Sequence, residues 1–149
     1  MITNIGHVAF WVSDIEKSVA FYKDILGFRE AFRLIKDDGQ LGGVYLYIAK
    51  DQFIELFPAA AAPSVAAAQT AAPAPAPAPG YSHFCVQVSD AAAAQESVRA
   101  KGVSIDTERK TGLSKCRMFW IHDPDGNRIE VMELPPESMQ AQATAKFAD

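Results

Sequence analysis

Two periodicities alternate along this chain. Residues 5–12 alternate as a strand does, with Val8, Phe10 and Val12 on one face and His7, Ala9 and Trp11 on the other. Ser13 or Asp14 then offers an N-cap to a helix with the apolar stripe Ile15, Val19, Tyr22, Ile25 and Leu26, which Gly27 is suited to stop. Strands are predicted over 28–36, 44–49 and 52–57, separated by the turns Asp37-Asp38-Gly39 and Lys50-Asp51. That succession is βαβββ.

The same order then returns. Residues 81–88 form a strand, 90–101 a helix stopped by Gly102, and 103–108, 115–122 and 128–133 three more strands. The match extends to individual residues. His7, Val12, Ser13 and Asp14 match His83, Val88, Ser89 and Asp90 at a shift of 76, and Phe53-Ile54-Glu55-Leu56 aligns with Arg128-Ile129-Glu130-Val131 at a shift of 75. A module of about 53 residues cannot cover its own sheet on both sides, so two must pack together, within one chain or between chains. The expected architecture is α+β, with two βαβββ modules at 1–57 and 81–134 forming a curved mixed sheet.

Between the modules, residues 58–80 hold six of the nine prolines and 12 of the 25 alanines. Alternating proline forbids a helix there and favours an extended spacer with no catalytic role. The tail, 135–149, begins Pro135-Pro136 and is expected to be frayed and weakly helical at best. Lys+Arg 14 against Asp+Glu 18 leaves a net charge of −4 with scattered basic residues, which argues against a nucleic-acid partner. No apolar run of membrane-spanning length occurs, and the opening residues lack a basic stretch followed by an apolar one. A soluble, cytoplasmic chain is expected, with Cys85 and Cys116 as reduced, semi-buried thiols.

Strand parity gives the candidate chemistry. His7 lies on the face turned away from the helix, and Glu55 shares its face with Phe53 and Phe57 rather than with Ile54 and Leu56. His83 and Glu130 occupy the equivalent positions in the second module. Any one of these four alone reads as a solvated surface residue. Their recurrence with the fold changes that, because a semi-buried carboxylate is costly unless paired or bound to a metal. A His2Glu2 set suits a divalent ion such as Ni, Co, Zn or Mn.

These residues resemble a known family. His7 followed by the first helix, Phe21-Tyr22-Lys23-Asp24-Ile25-Leu26-Gly27-Phe28, Phe53-Ile54-Glu55-Leu56, Gly80-Tyr81-Ser82-His83 and the run from Asp123 to Glu130 together look like the vicinal oxygen chelate superfamily, within it glyoxalase I or lactoylglutathione lyase. The resemblance covers residues 1–134. It implies the glyoxalase/bleomycin resistance/dioxygenase-type fold, with His7, Glu55, His83 and Glu130 as metal ligands. It also implies a lyase or isomerase that moves a proton through a metal-stabilised enediolate on a hemithioacetal or small α-hydroxycarbonyl, with Glu130 as base and Glu55 as the second acid/base. A homodimer acting on a small molecule is the usual form of such proteins. Trp11 and Ala59 stand where the glyoxalase pattern has an Arg and an Asn that contact glutathione, which puts glutathione use in doubt.

Trp11, Phe53, Phe57 and Met132 share the faces of the four candidate ligands and would line an apolar substrate cup. Core packing explains the same aromatics equally well. Two other functions remain open on this scaffold: a non-haem Fe(II) ring-cleaving dioxygenase, against which the second carboxylate argues, and a non-catalytic drug- or ligand-binding module. Lys110, Lys115 and Arg117 are weak candidates for anion binding. The run Asp123-x-Asp125-Gly126-Asn127 lacks the ligand spacing of a calcium loop and reads as a hairpin connection, with His122 beside it as a hydrogen-bonded non-ligand.

Overall fold

The computed structural model describes residues 4–59 and 80–147, so most of the predicted spacer lies outside the described residues. The chain divides into two compact units, Met1–Gly80 and Tyr81–Asp149. Unit one runs β1 (His7–Val12), α1 (Ile15–Asp24), β2 (Arg29–Ile35), β3 (Leu41–Ala49) and β4 (Gln52–Pro58). Unit two repeats it with β5 (Phe84–Val88), α2 (Ala91–Ala100), β6 (Thr107–Thr111), β7 (Arg117–His122) and β8 (Arg128–Glu133), then adds α3 (Met139–Phe147). The α+β reading and the βαβββ order hold in both.

Each unit is one mixed four-stranded sheet, ordered β1-β4-β3-β2 and β5-β8-β7-β6. The first and last strands of each unit pair in parallel, the others antiparallel. A parallel pair needs a crossover, and the helix supplies it while covering one face. In unit one the alternation of β1 buries Phe10 and Val12 on that face, together with Val44 and Leu46 of β3 and Ile54 and Leu56 of β4. Tyr22 of α1 is fully buried there, stacked against Phe10 and Phe28. Unit two buries Phe119, Ile121, Ile129 and Val131 with Val98 of α2.

Local chemistry sets the ends of the helices. Asp14 caps α1 by accepting from the Lys17 amide at 3.0 Å. Asp90 caps α2 by accepting from the amides of Ala92 and Ala93, and Glu133 reaches over from β8 to accept from Ala91 at 3.0 Å. Three of the amides that a helix N-terminus leaves unpaired are thus satisfied. Gly27 and Gly102, at φ 76° and 79°, make the left-handed stops that the sequence called for. Gly43 answers a different need: a Cβ there would stand 3.0 Å from the Leu56 carbonyl.

Three expectations need correcting. The strand predicted over 103–108 begins only at Thr107, because Val103 is still tied to α2 through the Val98 carbonyl and the ladder to β7 starts with Asp106 donating to Trp120. The tail is a regular helix rather than frayed. It buries no side chain, but fully buried Ser138 and the bond from the Met139 amide to the Ser114 carbonyl hold its start. The cysteines are unlike each other, Cys116 being fully buried and Cys85 exposed.

Leu46 is completely buried, so Leu46→Ala is expected to cost about 2–5 kcal/mol in denaturant unfolding. The two amides donating to Asp90 hold its carboxyl below the usual aspartate range. A folded-state value below the unfolded one makes the contribution complete above the ordinary aspartate range and lost as the pH falls through the lowered value. Asp90→Ala should therefore lower the thermal midpoint at neutral pH, with the difference from the parent shrinking as the solution is acidified.

Candidate metal centre

Two side chains in each unit meet on the sheet face that the helix leaves uncovered. In unit one, the parallel register pairs His7 with Phe53 and Ala9 with Glu55, so His7 and Glu55 are diagonal neighbours on one face. The His7 Nε2 lies 3.4 Å from the Glu55 Oε2. The imidazole is open to solvent, whereas Glu55 retains only 6% of its exposure. A carboxylate so enclosed needs donors, and Tyr45, its register partner on β3, stands beside it. Burial first, and the neighbouring Glu55 carboxylate second, raise the Tyr45 hydroxyl above its ordinary value. The Tyr45 ring also stands edge-on to His7 at 5.6 Å and stacks on Phe32 at 4.5 Å.

Unit two repeats the pair with different surroundings. The His83 Nε2 lies 3.1 Å from the Glu130 Oε2. The Ser82 hydroxyl lies 3.1 Å from the other ring nitrogen, Nδ1, and can fix which nitrogen carries the proton. Trp120, the register partner of Glu130, takes the place of Tyr45, with its ring edge-on to His83 at 4.7 Å. Cys85, paired with Glu130 across the parallel strands, is exposed as a residue, yet its thiol is pushed up to about 12, by partial desolvation of the sulfur first and the Glu130 carboxylate second. A thiol in that state stays protonated near neutral pH, in line with its reading as a non-nucleophile.

The donor chemistry of each pair suits a divalent ion. Two ligand atoms about 2.1 Å from one ion, at an angle of roughly 90–110°, stand about 3.0–3.4 Å apart, and both His–Glu pairs have that separation. Each pair by itself offers two donor atoms. Among the described residues, no three His, Cys, Asp or Glu side chains gather into a group able to hold a metal.

The predicted cup residues are placed as follows. Trp11 is 45% exposed and tilts against Phe57 at 5.0 Å, so an aromatic pair is open on the His7 face. Phe53 meets Tyr45 and Tyr47 edge-on. Met132 shares the Glu130 face but packs with Cys116, Met118 and Leu134. Of the weak anion candidates, Arg117 is occupied by Glu133 at 2.5 Å and Glu137 at 3.2 Å. Asp123 accepts from the amides of Asp125 and Asn127, the Asx connection read from the sequence, and His122 pairs with Asp106 at 2.6 Å. Sequence reasoning passed over Tyr45 and Trp120, although the shift of 75 that aligns Glu55 with Glu130 aligns these two as well.

A duplicated βαβββ unit with a His–Glu pair on each open face defines a class of protein, and the sequence agrees with it. The family model for the Glyoxalase/Bleomycin resistance protein/Dioxygenase superfamily matches residues 4–131, and the chain belongs to that superfamily. It is 31% identical over 139 residues to the uncharacterized protein YaeR of Escherichia coli, covering 89% of this chain and 97% of that one. To the metallothiol transferase FosB of Staphylococcus saprophyticus it is 28% identical over 137 residues, 88% of this chain and 77% of the other. The crystal structure of lactoylglutathione lyase from Agrobacterium tumefaciens superposes with a TM-score of 0.63 at 23% identity, over 89% and 94% of the two chains, a likeness of fold. Among the described residues no helix is long and apolar enough to cross a membrane.

Removing the Tyr45 hydroxyl leaves a buried carboxylate short of a donor. Tyr45→Phe should cost about 1–3 kcal/mol in urea unfolding; a variant as stable as the parent would show that Glu55 does not depend on that hydroxyl.

Proposed function

We propose that this chain is a metal-dependent lyase or isomerase of the glyoxalase type, moving a proton between adjacent carbons of a hemithioacetal or small α-hydroxycarbonyl. One observation carries the reading: the same imidazole–carboxylate pair, at ligand separation, recurs on equivalent strands of both units. Each pair contributes half the ligand set, His7 with Glu55 and His83 with Glu130. When bound, a divalent ion such as Ni, Co, Zn or Mn would draw electron density from the substrate oxygens and make the adjacent C–H bond acidic.

The chain's own groups do the rest. Glu130 is the base: its carboxylate, only 13% exposed and hydrogen-bonded to His83, takes the proton from one carbon and returns it to the next. Glu55 is the second acid/base, and Tyr45 holds it in place. Trp11, Phe53 and Phe57 line the substrate side, and two copies of the chain form the working dimer.

The test is metal content followed by turnover. The purified chain, supplied with Ni²⁺ and studied by native mass spectrometry, should hold one ion per His2Glu2 set, and His7→Ala and His83→Ala should each lose it. Glu130→Gln should keep the ion while turnover of the methylglyoxal–glutathione hemithioacetal falls by about 100-fold or more. Full turnover in a metal-loaded Glu130→Gln variant would remove the base from the reading, and failure of the parent to bind any of the four ions would remove the reading itself.

A further inference from the structure

Arg128 is a cation held in place by an aromatic ring. Arg33, Arg99 and Arg117 each grip two acidic side chains. Among the described residues Arg128 has no such ion pair, and its guanidinium instead lies over the Trp120 ring, 3.8 Å from the centroid. Two neighbouring acids are engaged elsewhere, Glu130 with His83 and Asp106 with His122. Stacking on an indole stabilises the cation without consuming its N–H donors, so the fork that matches a carboxylate or phosphate stays available.

Its position ties this cation to the chemistry. Arg128 is two residues before Glu130 on β8, hence on the same strand face. Trp120, which braces it, is the register partner of Glu130 and touches the His83 ring. At the equivalent place in unit one stands Phe53, beside which Arg29 lies over the Tyr47 ring, 4.6 Å from its centroid.

We infer that Arg128, braced on Trp120, binds an anionic group, a carboxylate or a phosphate, on the molecule handled at the Glu130 half-site. This deepens the proposed reaction and rests on it for the identity of that molecule as substrate. The fork of the guanidinium would take two anion oxygens side by side.

NMR titration tests this, with the Arg128 Nε–H and Trp120 indole signals assigned from Arg128→Lys and Trp120→Phe. The full chain is titrated, metal-free and Ni²⁺-loaded, with malonate, inorganic phosphate and the neutral malonamide. Malonate or phosphate should move both signals saturably, malonamide should not, and Arg128→Gln should abolish the Trp120 response, with Arg128→Lys keeping part of it. The anion that saturates first identifies carboxylate or phosphate. Signals unmoved by either anion in both forms of the protein, or a Trp120 response unchanged in Arg128→Gln, overturn the inference. Ni²⁺ should tighten malonate binding by roughly tenfold. An Arg128-dependent response that Ni²⁺ leaves unaltered would instead count against the metal reading and leave the anion site standing.

Discussion

A carboxylate taken out of water must be met by donors, and that constraint organises the open face of each sheet. Glu55 lies between the core residues Ile54 and Leu56 with almost no exposure of its own. It persists there because Tyr45 on one side and His7 on the other face it. Were the strand shifted by one residue, Glu55 would point into the apolar layer under α1, where nothing could meet it. The register of β1, β3 and β4 and the His7–Glu55 pair are therefore one arrangement. The same holds for Glu130, His83 and Trp120 on β8, β5 and β7.

The helix on the opposite face makes this possible. With the apolar side of each sheet closed by α1 or α2, the other side is free to carry polar and aromatic groups, whose cost is offset by the core beneath. The parallel pairing of first and last strand matters just as much. It brings residues about fifty positions apart into contact at the middle of the sheet, where β4 and β8 are flanked on both sides. An edge position would leave the carboxylate solvated and its geometry loose.

Duplication supplies two His–Glu pairs, but their surroundings are not copies. Around His7 and Glu55 the neighbours are Tyr45, Phe32 and Phe53, so the surroundings are aromatic and the carboxylate is the more deeply buried. Around His83 and Glu130 they are Ser82, Cys85 and Trp120, with Arg128 stacked above. A shared frame with different surroundings accords with relatives that are named for different reactions.

Much was legible from the chain alone: two βαβββ units, their helix caps at Asp14 and Asp90, and the faces of His7, Glu55, His83 and Glu130. Those features follow from period-two alternation, helical stripes and an internal repeat, which act over a few residues or are copied whole. Other features rest on contacts between strands distant in sequence. The place of Tyr45 beside Glu55, the hold of Trp120 on Arg128, the delayed start of β6 and the anchoring of α3 through Ser138 needed the pairing to be known. Local pattern states which way a side chain points, but which partner it meets there is set by register, and register is a property of the folded sheet.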